Sequence, residues 1–435
     1  MLAGYRRRTR GGKKKVVAPL DAAPPRGGQY RMSIVDLSIK LVLDAGCSLR
    51  GAAAVLALFA REKLFDFDVP CFSTIRAWIL RIGHYALTRP LDSPTPWVWL
   101  IDHTMPIGTV KMFVILGCPL NRVPFGERPL PLSDLQRVAM VPMETSDAKR
   151  VDAELERAVE RTGKPHTIVS DQGRDLVGGT TKFRDFYRRA VHVADVAHSG
   201  ANVLENAWKY LPRWNAFVKN LQETSGKVRQ TTSAYLLGPK SRTSARFMNV
   251  DRQLRFAGRV LAHWDGATPQ AKAVEYYGWL KDFRADLVVW QREHGLVETT
   301  KARLRVDGLH VDSLTEMEAE WGEIGTCPST VKIAARLRTY IRTNQPTEAG
   351  VRLVASTEIL ESSFGKLKRI EREQSQSSMT GLVLSMGAIV GEGTQEERKE
   401  ALEATPQKNV DSWVEKVLGH SMQWFRRQFF AKTKA

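Results

Sequence analysis

Three carboxylates stand out by context. Asp102 follows the apolar run Trp97-Val-Trp-Leu-Ile, Asp171 follows Thr167-Ile-Val-Ser, and Glu361 lies in Glu358-Ile-Leu-Glu-Ser-Ser-Phe-Gly-Lys-Leu-Lys. A carboxylate at the end of a strand stands at the rim of its sheet, where neighbouring strands can present groups to one site. Glu361 sits beside the helical stripe Leu360, Phe364 and Leu367, and Gly365, one turn on, leaves space next to it. Carboxylate oxygens are the hard donors that Mg²⁺ and Mn²⁺ prefer. Two such ions about 4 Å apart clamp the attacking and leaving oxygens of an in-line phosphoryl transfer. Lys366 and Lys368 follow Glu361 closely enough to hold a phosphate backbone. Glu358, one turn earlier on the same face, is the alternative third ligand. A single strand-end aspartate more often caps a loop, so the reading rests on the ordered set.

The elements that must position these groups follow from periodicity. Residues 97–101, 110–116 and 137–143 read as strands. Residues 148–162 read as an amphipathic helix stopped by Gly163 and Pro165, 166–170 as a strand, 183–189 as a helix, and 190–194 as a strand ending at Asp195. That order predicts a mixed α/β core with a five-stranded sheet. From 200 to 345 the strand signal disappears. Helical periodicity runs through 202–210, 250–263, 270–294 and 329–343, and six of the eleven tryptophans fall in this region. Helices are also expected over 357–373, 382–390 and 413–430, the last amphipathic and basic. Ahead of the core, 33–45, 49–61 with Ser48 as cap, and 74–87 with Ser73 as cap, predict three short helices. Their order matches a helix-turn-helix whose third helix offers Ser73, Thr74, Arg76 and Arg81 to DNA. Three prolines within 89–96 mark a linker.

Charge points to the partner. The 435 residues carry 65 Lys+Arg against 47 Asp+Glu, a net +18, and are 43% hydrophobic, so the chain can build sizeable cores and favours a polyanion. The longest apolar run, 112–118, is far short of the ~20 residues a spanning helix needs, and the basic N-terminus lacks the features of a signal peptide. Cys47, Cys71, Cys118 and Cys327 lie far apart, which argues against a disulfide framework or a zinc–cysteine site and fits a reducing compartment. Residues 1–30 hold eight basic residues and one acid. Arg6, Arg7, Arg8, Lys13, Lys14 and Lys15 read as an arm lying on phosphates. A second concentration, nine basic residues against two acids, spans 219–259. Arg242 and Arg246 there, with Trp264 as a stacking platform, suit a backbone groove, although most tryptophans in such a region pack helices together.

The ordered Asp/Asp/Glu set resembles that of the DDE transposases, whose catalytic domain is ribonuclease H-like. In that family the first Asp lies on the first strand, the second just after the fourth, and the Glu on a later helix. Asp102, Asp171 and Glu361 fall on the matching positions. Glu361-Ser-Ser-Phe-Gly-Lys-Leu-Lys is similar to the family's Glu-Ser-x-x helix with its Lys/Arg-rich continuation. The 190 residues from Asp171 to Glu361 exceed what a bare core needs and resemble the helical insertion of the hAT and Mutator groups. Those groups carry Cys/Asp-x-x-His after the fifth strand, and Asp195-Val-Ala-His198 matches it. The resemblance implies that Asp195 and His198 support the site or contact DNA near the scissile phosphate; the same four residues also read as a polar strand-to-helix junction.

The expected organisation is a basic arm (1–31), a helix-turn-helix (32–88), a ribonuclease H-like core in two parts (97–199 and 346–395) around an all-α insertion (200–345), and a basic C-terminal helix (396–435). The resemblance further implies two Mg²⁺ or Mn²⁺ ions, transposon terminal repeats and target DNA as partners, and a homodimer or higher assembly. It implies a cytoplasmic or nucleoid location, or a nuclear one in a eukaryote. Two other readings stay open: a DNA-binding protein that has lost catalysis, and a two-metal nuclease that cuts without joining.

Overall fold

The computed structural model describes residues 23–64, 66–91, 95–107, 110–240, 246–266, 271–373, 379–391, 393–420 and 422–431. The first elements among the described residues are three helices, α1 (Met32–Leu43), α2 (Leu49–Arg61) and α3 (Phe72–Thr88). The sheet region follows: β1 (Trp97–Ile107), β2 (Val110–Pro119), β3 (Gln136–Met143), α4 (Ala148–Thr162), β4 (Pro165–Ser170), α5 (Arg174–Phe186) and β5 (Val191–Ala194). Then come α6 (Val196–Trp208), α7 (Pro212–Val228), α8 (Val250–Trp264), α9 (Ala271–Tyr277), α10 (Arg284–Asp307), α11 (Ser313–Trp321), α12 (Val331–Asn344) and α13 (Glu358–Glu373). The C-terminal helices are α14 (Met379–Ile389), α15 (Gln395–Ala404), α16 (Gln407–Leu418) and α17 (Met422–Ala431). Two compact units result, one within residues 1–89 and 365–435, the other within 90–364.

In the second unit the sheet order is β3-β2-β1-β4-β5. β1 pairs antiparallel with β2 and parallel with β4; β2–β3 is antiparallel and β4–β5 parallel. This mixed five-stranded α/β sheet is compatible with a ribonuclease H-like fold. Alternation along β1 sends Trp97, Trp99 and Ile101 to one face. There they meet Phe113, Ile115 and Ile168, with Val151, Leu155 and Ala158 of α4 and Leu176 and Phe183 of α5 above them. Full burial of each large side chain contributes roughly 1.5–3 kcal/mol, so this layer fixes the sheet to its helices.

The elements depart from the sequence expectation in several places. The helix expected over 413–430 is divided between α16 and α17. β1 continues to Ile107, so Asp102 lies inside a strand and not at its end: the hairpin partner keeps pairing, with Asp102 opposite Val114, His103 opposite Phe113 and Thr104 opposite Met112. α5 starts at Arg174, nine residues ahead of the expected 183, and includes Gly178 and Gly179. Glycine weakens an isolated helix, but a Cβ on Gly179 would lie 2.5 Å from the Val151 side chain, so the close α4–α5 approach requires it. α3 starts at Phe72 with Cys71 as its N-cap residue, and Ser73 falls in the first turn. Ser48 does cap α2, accepting from the Gly51 N–H at 3.0 Å.

Between β5 and α13 the regular elements are helical among the described residues. Trp208, Trp214, Phe217, Phe283 and Trp290 are buried and pack ring against ring. Trp208 Nε1 donates to the buried Glu293 at 2.6 Å, which satisfies both polar groups.

In the first unit α3 is enclosed by α1, α2, α14, α15 and α16. Asp36 of α1 forms a buried ion pair with Arg398 of α15. α3 and α14 cross backbone to backbone: a Cβ on Gly83 would stand 1.9 Å from the Leu384 carbonyl oxygen, and one on Gly387 would meet the Gly83 carbonyl at 2.8 Å. Helix propensity alone would make Gly83→Ala stabilising by about 1 kcal/mol. The contact reverses the sign, and we expect Gly83→Ala to cost about 3 kcal/mol. A urea unfolding curve checks this, and a midpoint equal to or above wild type would rule out the crossing.

Candidate active site

The site is built at the sheet edge where the parallel pairing of β1, β4 and β5 ends. Ile101 is in register with Ser170, and Ser170 with Ala194. The next residue on each strand is Asp102, Asp171 and Asp195, so three aspartates form one row across neighbouring strands. Adjacent strands are about 4.8 Å apart, which brings Asp102 and Asp171 side by side. Asp102 falls with Val98 and Leu100 on the face opposite the α4–α5 layer.

Each carboxylate is oriented by a local bond. Asp102 Oδ1 accepts the His103 backbone N–H at 2.6 Å, and Asp171 Oδ1 accepts the Gly173 N–H at 2.8 Å. A Cβ on Gly173 would lie 2.9 Å from Asp171 Oδ1 and 3.2 Å from Asp175 Oδ1, so the turn after β4 leaves the carboxylate room only with glycine there. Asp195 is fully buried and serves as the N-cap of α6. Its Oδ1 accepts the His198 backbone N–H at 2.7 Å and His198 Nδ1 at 2.9 Å. Its Oδ2 accepts the Thr357 N–H at 2.6 Å and the Thr357 hydroxyl at 3.0 Å, across 162 residues of chain. Thr357 immediately precedes α13, so one carboxylate joins β5, α6 and the helix that carries Glu361. From α6, His198 Nε2 reaches to 3.8 Å from Glu361 Oε1.

Electrostatics tie these groups together. Burial pushes the Asp102 carboxyl up to about 7, and the neighbouring Asp171 charge adds to it, with Glu361 further along. Burial alone would lower the His198 imidazolium, but the Asp195 hydrogen bond and charge, then Asp171 and Glu361, outweigh it and raise it to about 9. Burial also raises Glu361, against the opposing charge of His198. Asp195 goes the other way. Its burial is outweighed by the His198 and Thr357 bonds, and it stays below the usual carboxylate range. Glu358 turns to α10, at 3.0 Å from Arg305 and 3.9 Å from Lys301.

Among the described residues no three His, Cys, Asp or Glu groups close to metal-ligand spacing. The donor set nonetheless suits a hard divalent cation: the oxygens are carboxylate, and Asp102 and Glu361 hold their protons more tightly than usual because of burial and neighbouring negative charge. A cation there would relieve that repulsion.

Asp175 escaped the sequence reading, although it stands four residues after Asp171. Its Oδ2 is 3.8 Å from His103 Nδ1 and 4.0 Å from Lys111. His103 points to this side, opposite to Asp102, and its Nε2 pairs with the Ser146 hydroxyl at 3.0 Å. Gln172, between the two acids, donates to Ser199 at 3.0 Å and accepts from Asn202 at 2.7 Å.

The residues expected to bind DNA are placed unevenly. Ser73 and Thr74 bond the Cys71 sulfur, and Arg76 is exposed at the start of α3. Arg81 is committed elsewhere: its guanidinium caps the C-terminal end of α15 through the Leu402 and Thr405 carbonyls. Lys368 is exposed on α13 and Lys366 half-buried. Trp264 is not an open platform. It is only 8% exposed, with Lys281 over its ring at 5.5 Å, because its helix turns it into the core. Arg6, Arg7, Arg8, Lys13, Lys14, Lys15 and Arg242 lie outside the described residues, as does the side chain of Arg246.

No family model matches the chain, and no curated protein matches it. Among solved structures, the chain is similar to the Drosophila P element transposase strand transfer complex. The match covers 84% of this chain and 93% of that one, at 12% sequence identity and a TM-score of 0.39. A likeness of that size speaks to neither activity nor partners. No described helix is long and apolar enough to cross a membrane.

Proposed function

We propose that the chain is a DDE-type transposase that cuts DNA at element ends and joins the 3′-hydroxyl to target DNA. One observation supports the reading: Asp102 and Asp171 follow an in-register pair on adjacent parallel strands, and Glu361 Oε1 lies 3.8 Å from His198 Nε2 on the helix after β5. Mg²⁺ or Mn²⁺ held by Asp102, Asp171 and Glu361 would supply charge neutralisation at the phosphoryl oxygens.

The chain's own residues do the positioning. Asp195 holds His198 in one orientation and ties Thr357 down, so α13 presents Glu361 at a set depth. His198, charged at neutral pH, holds the Glu361 carboxylate and offsets part of the negative charge of the site. Arg305 and Lys301 keep Glu358 turned away, which favours Glu361 as the third ligand. Lys366 and Lys368, the exposed start of α3 with Ser73, Thr74 and Arg76, and the basic arm would hold DNA phosphates. Synapsis of two element ends calls for a homodimer or larger assembly.

The test is cleavage and joining of an end-containing duplex in Mg²⁺ or Mn²⁺. Glu361→Gln is expected to lose about a thousandfold, the ~4 kcal/mol of a charge interaction lost in the transition state, and Glu358→Gln less than about tenfold. Equal losses would remove the distinction between the two glutamates. Free ends without joined products would replace the transposase reading with the nuclease one.

A further inference from the structure

An open groove of about 1190 Å³ runs along the outer edge of β5, between α5, α6 and α12. Its near end adjoins the candidate site, because Gln172 lines it and Gln172 follows Asp171. Among the described residues its walls carry three exposed arginines, Arg174 and Arg184 from α5 and Arg336 from α12, and no carboxylate. Asn202, Asn206 and Gln345 add amides, and the Gln345 Oε1 is a buried acceptor with no protein donor. The far wall is fixed: the Tyr340 hydroxyl donates to the Ala194 carbonyl at 2.8 Å, and Asn344 Oδ1 accepts the Ala194 N–H at 2.9 Å. The groove is thus a built feature, with α12 pinned to the strand edge by two bonds.

Its size and lining select the ligand. Small-molecule pockets usually measure about 300–1,000 Å³ and are mostly apolar. This one is larger and open, with arginines and amides among its apolar groups, which suits a length of polymer. Three helices and a strand edge bound it, a run of surface that one strand can follow. Arg174, Arg336 and the terminal nitrogens of Arg184, whose Nε donates to the Ala190 carbonyl at 2.9 Å, suit phosphates, and the amides suit sugar hydroxyls or base edges. Of the two aromatic rings in the lining, Tyr340 is buried with its hydroxyl on the Ala194 carbonyl, and His192 is half-buried and paired with the Ser170 hydroxyl at 2.8 Å, so binding here relies on phosphates more than on stacking.

We propose that this groove holds single-stranded DNA leading away from the phosphate at Asp102 and Asp171, gripped through its backbone by Arg174, Arg184 and Arg336. This rests on the transposase reading for its occupant, while the groove itself can be tested without catalysis. Binding of a fluorescent 12-nucleotide strand would be followed by anisotropy in EDTA over a range of salt. Each phosphate contact contributes about 0.7 to the slope of log K against log salt for single strands. Arg174→Ala with Arg336→Ala should weaken binding about tenfold or more and lower the slope by about 1.4. Thr339→Arg, an added charge on the α12 wall, should raise it. Glu160→Gln, on α4 and outside the lining, measured in the same way, should change neither quantity. Unaltered affinity and slope in the double variant would overturn the proposal. So would displacement of the strand by a mononucleotide at matching phosphate concentration, which would make the groove a small-nucleotide site. If binding behaves as expected but no cleavage occurs in Mg²⁺ or Mn²⁺, the catalytic reading fails and the groove stands.

Discussion

Asp102→Asn is expected to cleave DNA about a thousandfold more slowly than wild type and yet to unfold at a higher temperature in EDTA at about pH 8. The loss of rate follows from removing one charged ligand of the proposed site, which is worth several kcal/mol in the transition state. The gain in stability follows from linkage. The carboxyl of Asp102 sits near 7 in the folded chain because of burial and Asp171, against about 3.9 when unfolded. Between those values the folded state binds the proton and the unfolded state does not, so stability falls as pH rises from about 4 to about 7 and stays reduced above. Asparagine carries no charge to bury. The advantage of the variant should therefore be absent near pH 4, grow through pH 7 and level off at an order of 2–4 kcal/mol, or about 5–10 °C. Calorimetry at several pH values checks the trend. Mg²⁺ or Mn²⁺ should raise the wild-type midpoint at pH 8 and leave the variant nearly unmoved. A variant no more stable than wild type at pH 8 would mean that this carboxylate is not under electrostatic strain.

The second large effect is at Asp195. Asp195→Ala leaves the buried Thr357 N–H without its acceptor and His198 without its partner, and should destabilise the unit by about 3–5 kcal/mol. Asp195→Asn keeps one good acceptor and should fall between. The pair also sets a pH window. His198 is raised to about 9, so its share of stability is complete below about 6.5 and fades as pH climbs through 9. Asp195 is depressed, so its share is complete above about 4 and is lost only in stronger acid. In the alanine variant the alkaline decline should flatten. NMR titration should then find His198 well below its wild-type value, because only Asp171 and Glu361 would still oppose burial. Cleavage by Asp195→Asn should fall with KM nearly unchanged, since Asp195 positions Glu361 through Thr357 and touches no substrate. A His198 that titrates as in wild type would show that Asp195 does not govern it.

Much of the site could be read locally. Apolar runs ending in Asp102, Asp171 and Asp195 mark strands by composition alone, and the Leu360–Phe364–Leu367 stripe places Glu361 on a helix. What escaped local reading has a shared cause. β1 passes through Asp102 because β2 pairs with its continuation, and pairing is a property of two segments. α5 begins early because Gly178 and Gly179 serve the packing against α4, so residues that weaken an isolated helix are required by the assembled one. Trp264 looked like a platform because aromatic and basic residues are neighbours in sequence; in the fold its ring turns inward.

The sequence by itself determined the chemistry on offer: three carboxylates in order, a histidine three residues after an aspartate, and an excess of positive charge. Residue identity and short-range periodicity suffice for these. Tertiary structure alone decided which segments come together. Parallel register set Asp102 beside Asp171, and two bonds from Asp195 hold Thr357, at the start of the Glu361 helix, across 162 residues of chain. Pinning of α12 to the edge of β5 made a groove beside them. Proximity between distant segments comes from register and packing, which are summed over many weak contacts and leave no mark at any single position.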